Sequence, residues 1–439
     1  MTNKPNSPAE SYQSVFSQIR SSGIRVTCIL VILVSLFSIH ITYAQTVNEW
    51  PCFHGADRQN KSAETGLPGS WAVNGPVLSW TISGLGEGFS SVSVAAGQIF
   101  TAGKVSNQTY VFAYDMKGKL LWKKPNGEAW SVTVSWASSY NGPRSTPTYD
   151  NGVLYHISEN GKLTAFRAKD GSVIWIRDLP KDFEAEIPMY GYAESVMIDG
   201  ENLYVRPGGK KGYQACLDKK TGKTLWQTTG IPGDYGYSSP VISDFGGFRQ
   251  VLGSSTTCYY SVDVKTGKLL WVVDFRNKYE VNCTDPLVYN EYIFLTSGEG
   301  KGSMLIKQKK TPNGISTEKV WETQLMDNYF GGVLMHKGYV YGCGSESRGW
   351  FCLDLMTGKQ MWKTNGEGSL TYADGMLYLY DVKGNVKLIR ATQEKFDVTG
   401  EFKAPKGGEG PYWAHPVVCG GMLYLRHADK LFAYDIRKK

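Results

Sequence analysis

The side chains in this chain best suited to chemistry are three ionisable residues that recur at one position of a repeated pattern: Glu194, Asp285 and His415. Each is aligned here with the residue before proline in a Ser-Ser-Pro-Val motif, where other copies carry Ser91, Thr146, Ser239, Gly332 and Ser369. Two carboxylates facing one space could hold a hard cation with carbonyls and water, which makes Glu194 and Asp285 the candidate metal ligands. Asp285 could instead take a proton from an alcohol, as a catalytic base. Two positions earlier stand Phe89, Arg144, Tyr192, Tyr237, Cys283, Phe330, Glu367 and Trp413, a rim mostly aromatic with the charges of Arg144 and Glu367. Aromatic walls with a few convergent polar groups make a binding surface. The candidate binding set is therefore Arg144, Glu194, Asp285, His415 and Trp413. The plainer reading is a set of solvated charges at a channel mouth. Like charges withdrawn from water repel, so either a calcium-like ion or Arg144 is expected between Glu194 and Asp285.

What must position these residues is a repeat. One motif pairs an apolar dipeptide with Asp, a Gly-Lys turn and a Trp, as in Ala113-Tyr114-Asp115, Gly118-Lys119 and Trp122. It returns around Trp175, Trp226, Trp271 and Trp362; Trp321 keeps only its Trp, and Phe396 is read where another Trp is expected. The second motif precedes each copy, as in Ser238-Ser239-Pro240-Val241 and His415-Pro416-Val417. Together they give eight units, each reading as four short strands. Gly in the Gly-Lys turn supplies the positive φ of a tight hairpin. The expected fold is all-β: an eight-bladed β-propeller of four-stranded blades. The last unit stops at Tyr434-Asp435 without a Trp strand, and the missing strand stands at the other end as Val77-Leu78-Ser79-Trp80. Pairing the two would close the ring and remove the open edge. The propeller is expected over residues 76–436, with residues 45–75 as a lead rich in Pro, Gly and Trp lying across it. Trp at the strand ends reads as blade-to-blade packing, and Cys216 and Cys352 fall in a small-residue slot shared with Ala113 and Ala165.

Composition agrees. Gly is 50 of 439 residues and aromatics are 13%, as many tight turns between short strands require. An apolar content of 41% excludes disorder. Residues 1–44 read as a signal peptide: Lys4, Arg20 and Arg25 against Glu10, an apolar run at 26–39, then Thr42-Tyr43-Ala44. Cleavage is expected after Ala44. The alternative is an uncleaved anchor over residues 24–43, the one way this chain would meet a membrane. Either reading puts the bulk outside the cytoplasm, periplasmic or secreted. Removing residues 1–44 lowers the net charge from +7 to +5, too mild for nucleic-acid binding. Neither C-x-x-C nor adjacent cysteines occur, which argues against zinc and thioredoxin-like sites. Cys343 and Cys352 flank a hairpin and could pair.

The repeats, with an ideal form Ala-Leu-Asp-x-x-Thr-Gly-Lys-x-Leu-Trp, resemble those of pyrroloquinoline-quinone (PQQ) repeat propellers. The segment Trp50-Pro51-Cys52-Phe53-His54-Gly55-Ala56-Asp57-Arg58, with Glu64-Thr65-Gly66-Leu67-Pro68 after it, resembles the lead of a polyvinyl-alcohol-dehydrogenase-like bacterial branch. The resemblance covers about residues 50–436. It implies two functions: a PQQ- and calcium-dependent alcohol dehydrogenase, or a non-catalytic BamB-like scaffold of outer-membrane protein assembly. The chain lacks the adjacent cysteines whose disulfide stacks on PQQ in such dehydrogenases. The first expectation is thus an extracytoplasmic binding or scaffold propeller without cofactor. Its partners would be other envelope proteins, or a small-molecule or polymer ligand at the funnel. The dehydrogenase is the alternative.

Overall fold

The computed structural model describes residues 49–131, 140–312 and 314–438, together with Met1. The proposed signal peptide, its cleavage site and the alternative anchor lie outside these residues. Among the described residues, no helix is long and apolar enough to cross a membrane.

Eight four-stranded antiparallel sheets follow one another along the chain. Blades one to seven span residues 93–128, 148–178, 197–228, 241–274, 287–323, 334–364 and 368–403, each in simple up-and-down order. The first strands of blades one to four approach one another in turn, as do those of blades seven and eight. The eighth blade takes three strands from residues 417–435 and its outermost strand, Val77–Ile82, from the other end of the chain. Val77 pairs with Asp435 and Ile82 with Leu431, so the ring is closed by main-chain hydrogen bonds, as the repeat count requires.

The motif residues act locally in the same way in several blades. Asp218 Oδ1 accepts from the backbone N of Lys220 (3.1 Å) and Thr221 (2.8 Å), and Gly222 follows at φ 72°. This Asx turn recurs at Asp263 and Asp354. Beyond the turn, a bulge shifts register beside the Trp, as between Ala113 and Tyr114 or between Cys216 and Leu217. Trp122, Trp175, Trp226, Trp271 and Trp362 lie opposite Ala113, Ala165, Cys216, Ser261 and Cys352. The small-residue slot exists because an indole sits across from it.

The indoles stitch blades together. Trp122 Nε1 donates to Ala168 O of the next blade at 2.8 Å, Trp175 to Lys219 O at 3.0 Å, and Trp226 to Val264 O at 2.9 Å. The turn glycine of the following blade lies flat on each ring. A Cβ on Gly267 would stand 2.6 Å from Trp226, so glycine is required there for space as well as for φ.

The seventh blade departs from the sequence reading. Its register places Gly400, not Phe396, at the Trp position, opposite Leu388. Phe396 lies before that strand and packs edge-on against Trp362. The missing indole comes from the lead: Trp71 lies 5.8 Å from Tyr378, tilted by 55°, where Trp175 and Tyr155 in the second blade are 5.9 Å apart and tilted by 45°. Gly400 has no side chain because Trp71 occupies that space. Trp71→Ala is expected to destabilise the protein by about 2–3 kcal/mol, the burial of one large ring, while Trp71→Phe keeps most of it. Chemical denaturation monitored by circular dichroism checks this.

Candidate functional site

The residues before each first strand form a girdle. Ser91 N donates to Thr146 Oγ1 (3.0 Å), Thr146 N to Ser195 Oγ (2.9 Å), and Ser195 N to Ser239 Oγ (3.0 Å). Ser239 N donates to Asp285 Oδ1 at 2.6 Å. Blades two to five thus each offer the preceding blade one side-chain oxygen, and Asp285 takes the place of a hydroxyl. In the third blade the girdle residue is Ser195. Glu194, one position earlier, turns away from the axis.

Glu194 is fully buried between the third and fourth blades. Its Oε1 accepts from Arg206 N (2.6 Å), and its Oε2 lies 3.2 Å from Arg206 Nη2. Arg206 also donates to Ser238 O and Ser254 O and lies over Tyr235. Burial raises the Glu194 carboxyl above its ordinary value, and Arg206 pulls it back. The carboxylate partner of Arg206 is therefore structural. Arg144 does not stand between Glu194 and Asp285; its guanidinium donates to Tyr140 O and Tyr190 O instead.

Asp285 meets the lead. His54 Nδ1 lies 3.2 Å from Asp285 Oδ2, and His54 Nε2 lies 2.9 Å from His415 Nδ1. His415 Nε2 in turn faces Phe330 O at 2.7 Å. A carbonyl only accepts, so His415 donates from Nε2 and accepts from His54 at Nδ1. Burial, and then His54 beside it, push His415 down to about 3, so it is neutral. The His54–Asp285 contact is close but not aligned as a hydrogen bond, and Asp285 Oδ2 has no hydrogen-bond donor among the described residues.

The lead is placed by the inner strands. Trp50 bridges to Val94, Pro51 O accepts from Tyr149 N (2.7 Å), and Ser62 N donates to Tyr372 O (2.8 Å). Glu64 accepts from Gly420 and Gly421, the latter at 2.8 Å. Residues 50–64 therefore reach blades one, two, seven and eight from within the ring. His54 stands at φ 66° and Gly55 at φ 84°, and a Cβ on Gly55 would crowd Trp50 at 3.2 Å. This bend aims the imidazole along the axis. The sequence reading missed His54 and Arg58.

The aromatic rim is brought together differently. Trp413 contacts Tyr140 at 4.8 Å, Phe89 at 5.2 Å and Phe330 at 6.1 Å, all tilted by 36° to 55°. Arg144 donates to Tyr140 O (2.8 Å) and Tyr190 O (3.0 Å) and lies over Phe89. Burial lowers its guanidinium from the ordinary value, against the pull of Glu159. A planar quinone needs parallel walls and a coordinated cation. Here the rings tilt onto one another, Glu194 is bound to Arg206, and Asp285 Oδ1 is bound to Ser239. These residues do not fit PQQ with calcium. No group of three or more His, Cys, Asp or Glu among the described residues is arranged to hold a metal. The seven described cysteines are free thiols. Cys343 and Cys352 are out of register, opposite Trp350 and Tyr341, which corrects the suggested pairing.

A family model described as outer membrane protein assembly factor BamB matches residues 107–364, more than half of the chain. The BamB of Shewanella oneidensis is 24% identical over 273 residues, covering 58% of this chain and 65% of that relative. The match thus spans less than two thirds of the relative's length. The crystal structure of BamB from Moraxella catarrhalis superposes with a TM-score of 0.59 at 16% identity, over 82% of this chain and 99% of that one. A quinohemoprotein alcohol dehydrogenase from Pseudomonas putida also gives 0.59, at 14% identity, over 89% and 80%. At such identities both structures share the fold alone with this protein. The chain belongs to the BamB-like family of PQQ-repeat β-propellers.

Proposed function

We propose that this protein is an exported, non-catalytic scaffold that takes part in outer-membrane protein assembly, with other envelope proteins as its partners. One observation carries the reading. The polar groups at the axis best suited to chemistry are held by internal contacts: Glu194 by Arg206, Asp285 Oδ1 by Ser239, and His415 by Phe330 O. Family membership supports the same role, and the basic and apolar amino-terminal segment supports export. In a bacterium carrying this gene, its deletion should lower the folded fraction of outer-membrane β-barrel proteins, read from heat-modifiable gel mobility. Restoring the wild-type chain should restore that fraction. An unchanged fraction, with growth lost on a short-chain alcohol alone, would overturn the scaffold reading in favour of the dehydrogenase.

A further inference from the structure

The outer strand of every blade is an open sheet edge. Such an edge pairs with other chains unless charges, a proline or a covering segment blunt it. Most blades here are guarded. Blade one has Lys123, Lys124 and Pro125 in its outer strand, blade five Glu318 and Lys319, blade six Lys363, and blade seven Glu401 and Lys403. Blade seven is also covered by the lead, where Trp71 N donates to Thr399 O at 3.2 Å. The outer strands of blades three and eight are broken by Thr224 and Gln227 and by Ser79 and Thr81. Two outer strands keep an unbroken apolar run, over residues 269–273 in blade four and 173–176 in blade two. The chain covers the first by itself. The long hairpin of blade five, Gly302–Thr311 with Gly314–Thr323, reaches it, and Ile315 is buried with Leu270 and Val273. The second stays open: Val173, Ile174 and Ile176 are 52%, 45% and 48% exposed.

The charges around this open strand are complementary to themselves. Arg167 is paired with Asp170 and Arg177 with Asp182. That leaves Lys169, exposed just before the strand, and Asp178, exposed at its end. We propose that Val173–Asp178 is a dimer interface, on which a second copy of the chain pairs antiparallel across a twofold axis. In that arrangement the Lys169 end of each copy meets the Asp178 end of the other. A twofold contact of this kind must be self-complementary, and here both the aliphatic side chains and the end charges are. Main-chain hydrogen bonds join the two blades into one continuous sheet, and the aliphatic side chains leave water together. The interface lies on the outer wall of the ring and goes beyond the scaffold role proposed above.

The test is sedimentation velocity of the purified mature chain between about 1 and 200 μM, where a monomer–dimer equilibrium is expected. Ile176→Lys places a charge in the open edge and should weaken the dimer by about tenfold or more, with the circular dichroism spectrum unchanged. Val272→Lys makes the same change on the outer strand of blade four and should leave the dimer as it is. Lys169→Glu should weaken the dimer severalfold by facing the partner's Asp178. Asp178→Asn keeps a side chain able to cap the helix that follows and should remove most of that effect. A monomer at every concentration would overturn the proposal. So would a dimer that survives Ile176→Lys or is weakened equally by Val272→Lys. An effect of Lys169→Glu that is as large in the Asp178→Asn background would contradict the antiparallel pairing.

Discussion

A chain that begins at Ser83 is expected not to fold to the native ring. It lacks the outer strand of the eighth blade, Val77–Ile82, and with it the pairing to Lys430–Asp435. It also lacks Trp50, Leu67 and Ile82, which are buried, and Trp71 and Trp80, which pack against two of the interblade cores. At about 1.5–3 kcal/mol per large side chain, these five residues together account for roughly 7–15 kcal/mol. That equals the whole stability of a typical domain. The exposed edge of Lys430–Asp435 also becomes a template for pairing with other chains. Size-exclusion chromatography should show aggregates, and the cooperative thermal transition should disappear. A monomer with an unchanged melting temperature would show that neither the lead nor the closing strand holds the ring.

Replacing Arg206 by Met is expected to cost about 3–5 kcal/mol at neutral pH, because it leaves the Glu194 carboxylate buried without its cation. Adding Glu194→Gln to that variant should recover most of the loss, since no unpaired charge then remains. The sign of the pH dependence follows from burial. Without Arg206 the Glu194 carboxyl rises further above its unfolded value, so protonation favours the folded state. The deficit of Arg206→Met against wild type should therefore be largest at neutral pH and shrink as the solution is acidified. Urea denaturation of wild type, single and double variants measures this directly. Equal stability of wild type and Arg206→Met at neutral pH would mean that the pair is not the interblade anchor described here.

The architecture was legible because each blade repeats the same local solutions: an Asx turn, a glycine at positive φ, a bulge and an indole. Their agreement identifies the ring and its closure even where single copies are worn. The site was far less legible. Glu194 was read as facing the axis because the third blade has Ser195-Val196 where a Ser-Pro would fix the alignment. A shift of one residue in a strand lead-in turns a side chain to the opposite face. The carboxylate then meets Arg206 between blades instead of Asp285 across the channel. Phe396 was misplaced by the same kind of slip, since the bulge and the glycine at position 400 conceal the true register. His54 was unreadable for another reason. Its contact with His415 spans 361 positions, and no periodic pattern predicts where a non-repeating lead will bend. Asp285 and His415 were identified as axial residues, but their partner was not.

At the axis, Glu194 is held by Arg206, Asp285 Oδ1 by Ser239, and His415 by Phe330 O. The most direct test of the scaffold reading is equilibrium dialysis of the purified mature protein against PQQ with calcium, followed by dye-linked oxidation of primary alcohols. The predicted result is no retained quinone and no turnover, because Glu194 and Asp285 are already engaged and the rings around Trp413 tilt onto one another. Quinone retained at one equivalent per chain, with calcium-dependent alcohol oxidation, would contradict it.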